Sequence, residues 1–217
     1  MKLSREGAMV LLAEEGIVLR AYQCAAGVWT IGAGHTALAG PPTPKHGMTM
    51  GLDDALSLFR RDIIPYERAV ATAVKRSLEQ HEFDALVSFH FNTGAIKTGS
   101  VDDKLNKGDI DAALATMSRY NKANGKFNRG LAARRKREIA MFKDAVYIER
   151  GILVEGARGE KITLSPYDID WPGDPQPVSV PPPPDIEPPP AAVQGSFWNR
   201  MVLAIMAIVA TMRRKTP

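Results

Sequence analysis

Three polar side chains of different chemistry lie close together near the N-terminus of this 217-residue chain. Glu15 supplies a carboxyl group, Cys24 a thiol and Thr30 a hydroxyl, and mostly apolar residues separate them. Cleaving a glycosidic bond needs an acid that protonates the leaving oxygen, and a group on the other face that directs water or stabilises the cation. Glu15 suits the first task, and Cys24 and Thr30 are the nearby candidates for the second. Taken singly, each also has a structural interpretation, as an exposed glutamate, a small buried thiol or a strand hydroxyl bonded to the backbone.

A helix over residues 5–15 must position the carboxyl group. Ser4 is a favourable N-cap and Gly16 a favourable end. Glu15 follows Leu11 by four residues, so it lies on the apolar face in the last turn and is partly removed from water. Glu14 points in another direction, and we expect it to be solvated.

A short hairpin must position the thiol and the hydroxyl. The runs 18–22 and 28–31 predict two strands joined by a turn at 24–27, with Cys24 at the tip and Thr30 on the second strand. The glycines of 32–34 allow close backbone approach; a phosphate-binding loop is the weaker alternative, because no Gly-Lys-Ser or Gly-Lys-Thr follows. His35 has no second ligand at metal-binding spacing, so we expect it to make a structural hydrogen bond.

Helical periodicity dominates the next part of the chain, from 52 to 142, with a break at Pro65. Ser77 and Gln80 predict a capping box there. Together with the hairpin, these helices predict a mainly helical α+β domain over residues 1–145, with a small N-terminal sheet. Apolar runs at 152–154 and 162–164 predict a small hairpin within an extension, 146–171, which is either docked on the domain or disordered.

The C-terminal part has a different composition. Residues 172–195 are proline-rich and predict a semi-rigid linker, and residues 196–217 predict an apolar helix with a basic flank. The uninterrupted apolar core, 201–210, is shorter than the roughly 20 residues that a spanning helix needs. We therefore expect 197–215 to contact a membrane, either as a short span or as an interfacial helix; packing back on the domain is the alternative.

Charge and cysteine content narrow the kinds of binding partner and metal site that the chain can have. The formal net charge is +4, which suits an anionic cell wall, a membrane surface or nucleic acid. The basic run 119–143 has few interleaved aromatic residues and no recognisable DNA- or RNA-binding motif, so we expect no nucleic-acid partner. One cysteine excludes an intramolecular disulfide and a cysteine-based zinc site, and we expect neither cofactor nor metal. The N-terminus lacks the apolar core of a signal peptide, so we expect synthesis in the cytoplasm.

The spacing of the three candidates resembles a known signature. Glu15, then eight residues, then Cys24, then five residues, then Thr30-Ile-Gly-Ala-Gly-His is similar to the catalytic pattern of the phage-type lysozymes, or endolysins. The likeness continues at 85–94 and at 130–138 and covers about residues 4–144. It implies a lysozyme-like fold in a monomeric muramidase, EC 3.2.1.17, that cuts peptidoglycan between N-acetylmuramic acid and N-acetylglucosamine. It also implies action in the periplasm of a bacterial host during phage-driven lysis.

Roles for individual residues follow from this resemblance. Glu15 is implied as the general acid, Thr30 as a holder of the attacking water, and position 24 as the second catalytic residue. Arg134 matches an arginine that lies against the catalytic glutamate, and Asn92 matches a cleft-lining position; a surface arginine and a helix-capping asparagine are the alternatives. The family usually has aspartate where this chain has Cys24. A neutral thiol is a poor base, but a thiolate can act as a base or stabilise positive charge. We therefore expect thiol oxidation or alkylation to inhibit the enzyme.

Three other functions are compatible with the same residues. The chain could be a lytic transglycosylase that uses Glu15 alone, a wall-binding protein without activity, or a bacterial muramidase anchored by its tail for wall remodelling. Product masses distinguish the transglycosylase, which leaves anhydro ends, from a hydrolase. Glu15→Gln would change nothing in a wall-binding protein without activity. Expression that fails to kill cells would favour the anchored bacterial muramidase.

Overall fold

The computed structural model describes residues 1–24 and 27–172. The fold is mainly helical α+β, as the sequence predicted, with one five-stranded sheet and a separate two-stranded one in the described residues. The predicted linker and apolar helix fall almost wholly on 173–217, outside the described residues. Within the described part, no helix is both long enough and apolar enough to cross a membrane. The elements, in chain order, are α1 (Arg5–Glu15), β1 (Ile17–Gln23), β2 (Trp29–Gly32), β3 (His35–Thr36), a 3₁₀ turn (Ala37–Ala39), α2 (Leu52–Asp62), α3 (Ile64–Ala73), α4 (Gln80–Thr93), α5 (Val101–Asn106), α6 (Ile110–Ser118), β4 (Lys122–Ala123), β5 (Lys126–Phe127), α7 (Arg129–Asp144), β6 (Ile152–Glu155), β7 (Lys161–Leu164) and a second 3₁₀ turn (Pro166–Asp168).

Helix α1 begins and ends where its sequence predicted. The Ser4 hydroxyl accepts a hydrogen bond from the Gly7 amide at 2.9 Å, which satisfies one of the free amides of the first turn. Gly16 ends the helix at φ +69°, where its amide donates to the Leu12 carbonyl. That backbone conformation is unfavourable for residues with a side chain. The chain therefore turns sharply immediately after Glu15.

The helices pack around α4, which is buried along most of its length and contacts α7, α3 and α1. Pro65 separates α2 from α3 by occupying the first turn of α3, where its missing amide costs no hydrogen bond. The capping box of α4 is formed by Glu79 and Glu82 rather than by the predicted pair Ser77 and Gln80. A glutamate can cap in the same way because its carboxylate also accepts a backbone amide.

The larger sheet has five strands in the order β3-β2-β1-β6-β7, and β4 and β5 pair with each other separately. Strands β1 and β2 form the predicted antiparallel hairpin, in which Tyr22 lies opposite Thr30. Strand β6 joins the other edge of β1 in parallel, and β7 pairs with β6 in antiparallel orientation. The hairpin of the extension is thus docked on the domain.

The packed region does not stop at residue 145, where we expected the catalytic domain to end. Ile152, Val154 and Ile169 are buried in the same core as α1 and α4. The ring of Trp171 lies 6.1 Å from that of Phe59 in α2, measured between centroids. The extension therefore belongs to the folded domain, since its apolar side chains complete the core rather than form a separate one.

Candidate active site

Glu15 lies at the last position of α1 with its side chain only 3% exposed. Its Oε1 accepts a hydrogen bond of 2.7 Å from Nη1 of Arg134 in α7. The carboxyl group is thus removed from bulk water and fixed by an arginine that comes 119 residues later in the chain. This contact joins the first helix of the domain to its last, and it brings together two of the predicted site residues.

Arg134 is itself held by three acceptors. Besides Glu15, its Nε donates to Glu138 Oε1 at 3.0 Å, and its Nη2 donates to the Ser88 carbonyl at 3.3 Å. Burial lowers the pKa of the Arg134 guanidinium, but neighbouring carboxylates, Glu15 first, outweigh burial and raise the pKa above its ordinary value. Arg134 therefore stays charged, and its planar guanidinium has one fixed orientation.

Glu138 links this arginine to a second one. Its Oε1 also accepts from the Ser88 hydroxyl at 2.9 Å and from Nη2 of Arg135 at 2.8 Å. The Glu138 side chain is 2% exposed and that of Arg135 is 1% exposed. Burial lowers the pKa of Arg135, and the charge of Glu138 opposes that shift. The buried ion network of Glu15, Arg134, Glu138 and Arg135 contains two acidic and two basic groups, and its formal charges balance when Glu15 is ionised.

Glu14 is not solvated, contrary to our expectation. Its side chain is 10% exposed and binds Arg137 of α7 through two hydrogen bonds of 2.6 and 3.0 Å. Arg150 of the extension adds a third, of 3.2 Å. Burial raises the pKa of Glu14, but the bond from Arg137 and the surrounding arginine charges outweigh it, so the pKa lies below its ordinary value. Glu14 is therefore an ionised partner that anchors the same end of α1.

Cys24 and Thr30 lie on the neighbouring β1–β2 hairpin. The carbonyl oxygen of Val28 accepts from both, from the Cys24 amide at 3.0 Å and from the Thr30 hydroxyl at 3.1 Å. Cys24 follows the end of β1 and is half-buried, and Thr30 is 3% exposed. The turn between them includes residues 25 and 26, which lie outside the described part of the chain. The hairpin thus links these two candidates through one carbonyl group.

Two further polar residues have well-defined positions. Asn92 lies near the end of α4 and is 1% exposed, and its role in substrate binding stays a prediction. His35 is buried between Asp62 and the backbone, with Nδ1 2.7 Å from Asp62 Oδ2 and Nε2 2.7 Å from the Pro42 carbonyl. The expectation of a structural hydrogen bond at His35 is therefore confirmed.

Comparison with known proteins identifies the family. A family model described as phage lysozyme matches residues 13–138. The chain belongs to the phage lysozyme family. An endolysin of Acyrthosiphon pisum secondary endosymbiont phage 1 is 36% identical over 155 residues, which cover 67% of this chain and all of the relative. The endolysin of Salmonella phage P22 is 35% identical over 144 residues, covering 65% of this chain and 98% of the relative.

A solved structure extends the likeness to the fold. The endolysin from Escherichia coli O157:H7 phage FAHEc1 aligns with a TM-score of 0.62 at 33% identity, and the alignment covers 68% of this chain and 97% of that one. The phage lysozyme match begins two residues before Glu15 and ends at Glu138. It therefore spans the whole buried ion network but stops short of Arg150.

The contributors to the site that were missed from the sequence alone include Ser88, Glu138 and Arg150. Glu138 had a usable signal, because a glutamate four residues after an arginine faces it on a helix. Ser88 lies on the buried face of α4, where a hydroxyl needs a partner. Arg150 had no such signal, because it follows the predicted end of the domain.

Proposed function

We propose that this phage lysozyme is a muramidase that hydrolyses the β-1,4 bond between N-acetylmuramic acid and N-acetylglucosamine. Membership of the family makes the chain a peptidoglycan hydrolase of phage-driven lysis. The observation that carries the finer proposal is the fixed, buried carboxyl group of Glu15, with Oε1 held 2.7 Å from Arg134 Nη1. Hydrolysis of a glycosidic bond needs an acid placed in this way.

Glu15 is the general acid in this mechanism. Because Arg134 occupies Oε1, the other carboxyl oxygen, Oε2, carries the proton that passes to the leaving glycosidic oxygen. The bond between the anomeric carbon and that oxygen breaks, and the sugar develops positive charge. The sharp turn at Gly16 keeps the carboxyl group at the very end of α1, beside the strand that leads to Cys24.

Thr30 and Cys24 act on the other side of the reacting carbon. The Thr30 hydroxyl donates to the Val28 carbonyl, so its oxygen lone pairs are available to accept a hydrogen bond from the attacking water. Cys24 in its thiolate form accepts the one proton that the water loses as its oxygen bonds to the anomeric carbon, or it stabilises the cation. Asn92 contributes to substrate binding through the α4 side of the site.

Product analysis tests this proposal. Purified peptidoglycan digested by the parent should yield muropeptides with reducing N-acetylmuramic acid ends, and Glu15→Gln should yield almost none. Glu14→Gln is the matched control, because it changes the adjacent carboxylate, and it should keep the same product type. Anhydro ends in the parent digest would mean transglycosylation, and equal product from Glu15→Gln would mean that Glu15 is not the acid.

We place the site of action at the cell wall in the periplasm, with residues 197–215 bringing a monomeric enzyme to the membrane. The support is the composition of that segment, apolar over 197–212 apart from three residues and followed by Arg-Arg-Lys. A truncation after residue 195 should remain active on purified peptidoglycan but lose its binding to anionic lipid vesicles. Equal vesicle binding by both forms would contradict the anchoring role.

A further inference from the structure

The chain beyond residue 145 contacts α1, the helix that carries Glu15, at its N-terminal end. The Tyr147 hydroxyl donates to Asp84 Oδ2 at 2.9 Å, and Asp84 accepts from the amide of Ser4, the N-cap of α1, at 3.1 Å. Arg5, the first residue of α1, donates to two carbonyls of segment 166–169 at 2.8 and 3.0 Å. These bonds fix where α1 begins.

The same segment also reaches the C-terminal end of α1. Arg150 Nη1 lies 3.2 Å from Glu14 Oε1, one residue before Glu15. Arg137 of α7 donates to the same oxygen and also to Oε2 of Glu14. The last turn of α1 is thus bonded both to an arginine of the helical core and to an arginine of the extension.

Strand β6 of the extension runs beside the turn that follows Glu15. Ile17, the second residue after Glu15, lies opposite Val154 in the parallel β1–β6 pair. A methyl group added at Gly16 would lie 3.4 Å from the Leu153 carbonyl oxygen, so the two backbones are close. The direction in which the chain leaves α1 is therefore set by the extension as well as by the hairpin.

We infer that residues 146–172 are a brace that holds α1 at both ends, and that Arg150 is a positioning residue for Glu15. The inference rests on the proposed role of Glu15 as the acid. The phage lysozyme match ends at residue 138, before this segment begins. Arg150 touches Glu14 and not Glu15, and its effect on catalysis passes through the last turn of α1.

The test compares Arg150→Gln with the parent in the full-length chain, with kcat and KM measured on purified peptidoglycan well below both melting temperatures. Small misplacements of a catalytic group lower the rate of the chemical step, so we expect kcat to fall by about threefold to tenfold. KM should stay within about twofold, since no interaction with substrate is removed. Arg150→Lys, which keeps the charge, should restore at least half of the lost kcat.

Two further variants show whether Arg150 acts through Glu14. In a Glu14→Gln background, adding Arg150→Gln should change kcat little, because the partner is already neutral. Arg158→Gln removes an exposed arginine from the turn between β6 and β7 and should leave kcat unchanged. Among the described residues Arg158 has no side-chain ion pair, which makes it a matched control for net charge.

Four results would overturn the inference: an unchanged kcat in Arg150→Gln, a raised KM with unchanged kcat, an equal loss in Arg158→Gln, or a full additional loss in the Glu14→Gln background. Failure of the proposed hydrolysis would look different. Anhydro ends on the products would refute hydrolysis while leaving the dependence of kcat on Arg150 intact, because transglycosylation also needs Glu15.

Discussion

Glu138→Gln should destabilise the domain strongly while changing the volume of the side chain very little. Glu138 contacts Arg134 Nε at 3.0 Å, Arg135 Nε at 2.7 Å and the Ser88 hydroxyl at 2.9 Å, and its side chain is 2% exposed. An uncharged amide at this position removes the carboxylate that pairs with Arg135 and leaves Arg134 with Glu15 as its remaining bonded carboxylate. It also turns an NH₂ group toward groups that are themselves donors.

The expected magnitude follows from the burial of the network. Removing one member of a buried ion pair costs about 3–5 kcal/mol. A domain of this size loses about 2–4 °C of melting temperature for each kcal/mol, so the melting temperature should fall by about 6–20 °C. Activity measured at low temperature should fall too, because Arg134 loses the anchor that fixes its hydrogen bond to Glu15.

Thermal unfolding followed by circular dichroism, together with kcat at a temperature where both proteins are folded, measures both effects. Ser88→Ala is the control, since it removes a neutral partner from the same carboxylate and should cost about 1 kcal/mol. A fall in melting temperature of less than about 2 °C in Glu138→Gln would refute the reasoning, because it would mean that the charge of Glu138 does not hold the network.

Two other changes have defined outcomes. If the thiol of Cys24 takes part in catalysis, Cys24→Ala and alkylation with iodoacetamide should each lower cell-wall clearing at least tenfold, and Cys24→Asp should keep it; clearing by Cys24→Ala at the parent rate would exclude a catalytic role. Burial first, and the charge of Lys97 second, lower the pKa of His90 from 6.5 to about 4. Between pH 6.5 and 4 the unfolded chain protonates His90, whereas the folded domain keeps it neutral. The free energy of unfolding is therefore highest above pH 6.5 and falls by about 3 kcal/mol as the pH drops to 4. In urea unfolding at several pH values, His90→Gln should show a smaller loss of stability between pH 6.5 and 4, and a pH dependence identical to that of the parent would contradict this.

The features predicted correctly from the sequence are those that local patterns determine. Ser4 and Gly16 bound α1, and the spacing of four residues from Leu11 puts Glu15 on its buried face. The β1–β2 hairpin needs only two short strands and a turn between them. In each case the interacting residues lie close together in the chain, so their pattern carries the information.

The features that were missed depend on contacts between distant residues. Glu14 was expected to be solvated, yet Arg137, 123 residues later in the chain, pairs with it and shields it from water. The parallel pairing of β1 with β6 joins strands separated by more than 120 residues. The alternation of side chains in a four-residue strand such as β6 is too short to identify its pairing partner from the sequence. The extension therefore looked separable from the domain, although its apolar side chains are buried in the same core.

Position 24, where the resemblance predicts an aspartate, is one where the fold imposes little on the side chain. The hydrogen bonds of Cys24 use its backbone, with the amide donating to Val28 and the carbonyl accepting from Gly27. The ion network around Glu15 is built from α1, α4 and α7 and does not include the hairpin. Replacing a half-buried thiol by a carboxylate or a methyl group should therefore leave the folded structure intact. Differences in rate among these variants at position 24 would then report on the chemistry of that side chain, whereas differences at Glu138 report on the structure that holds the acid.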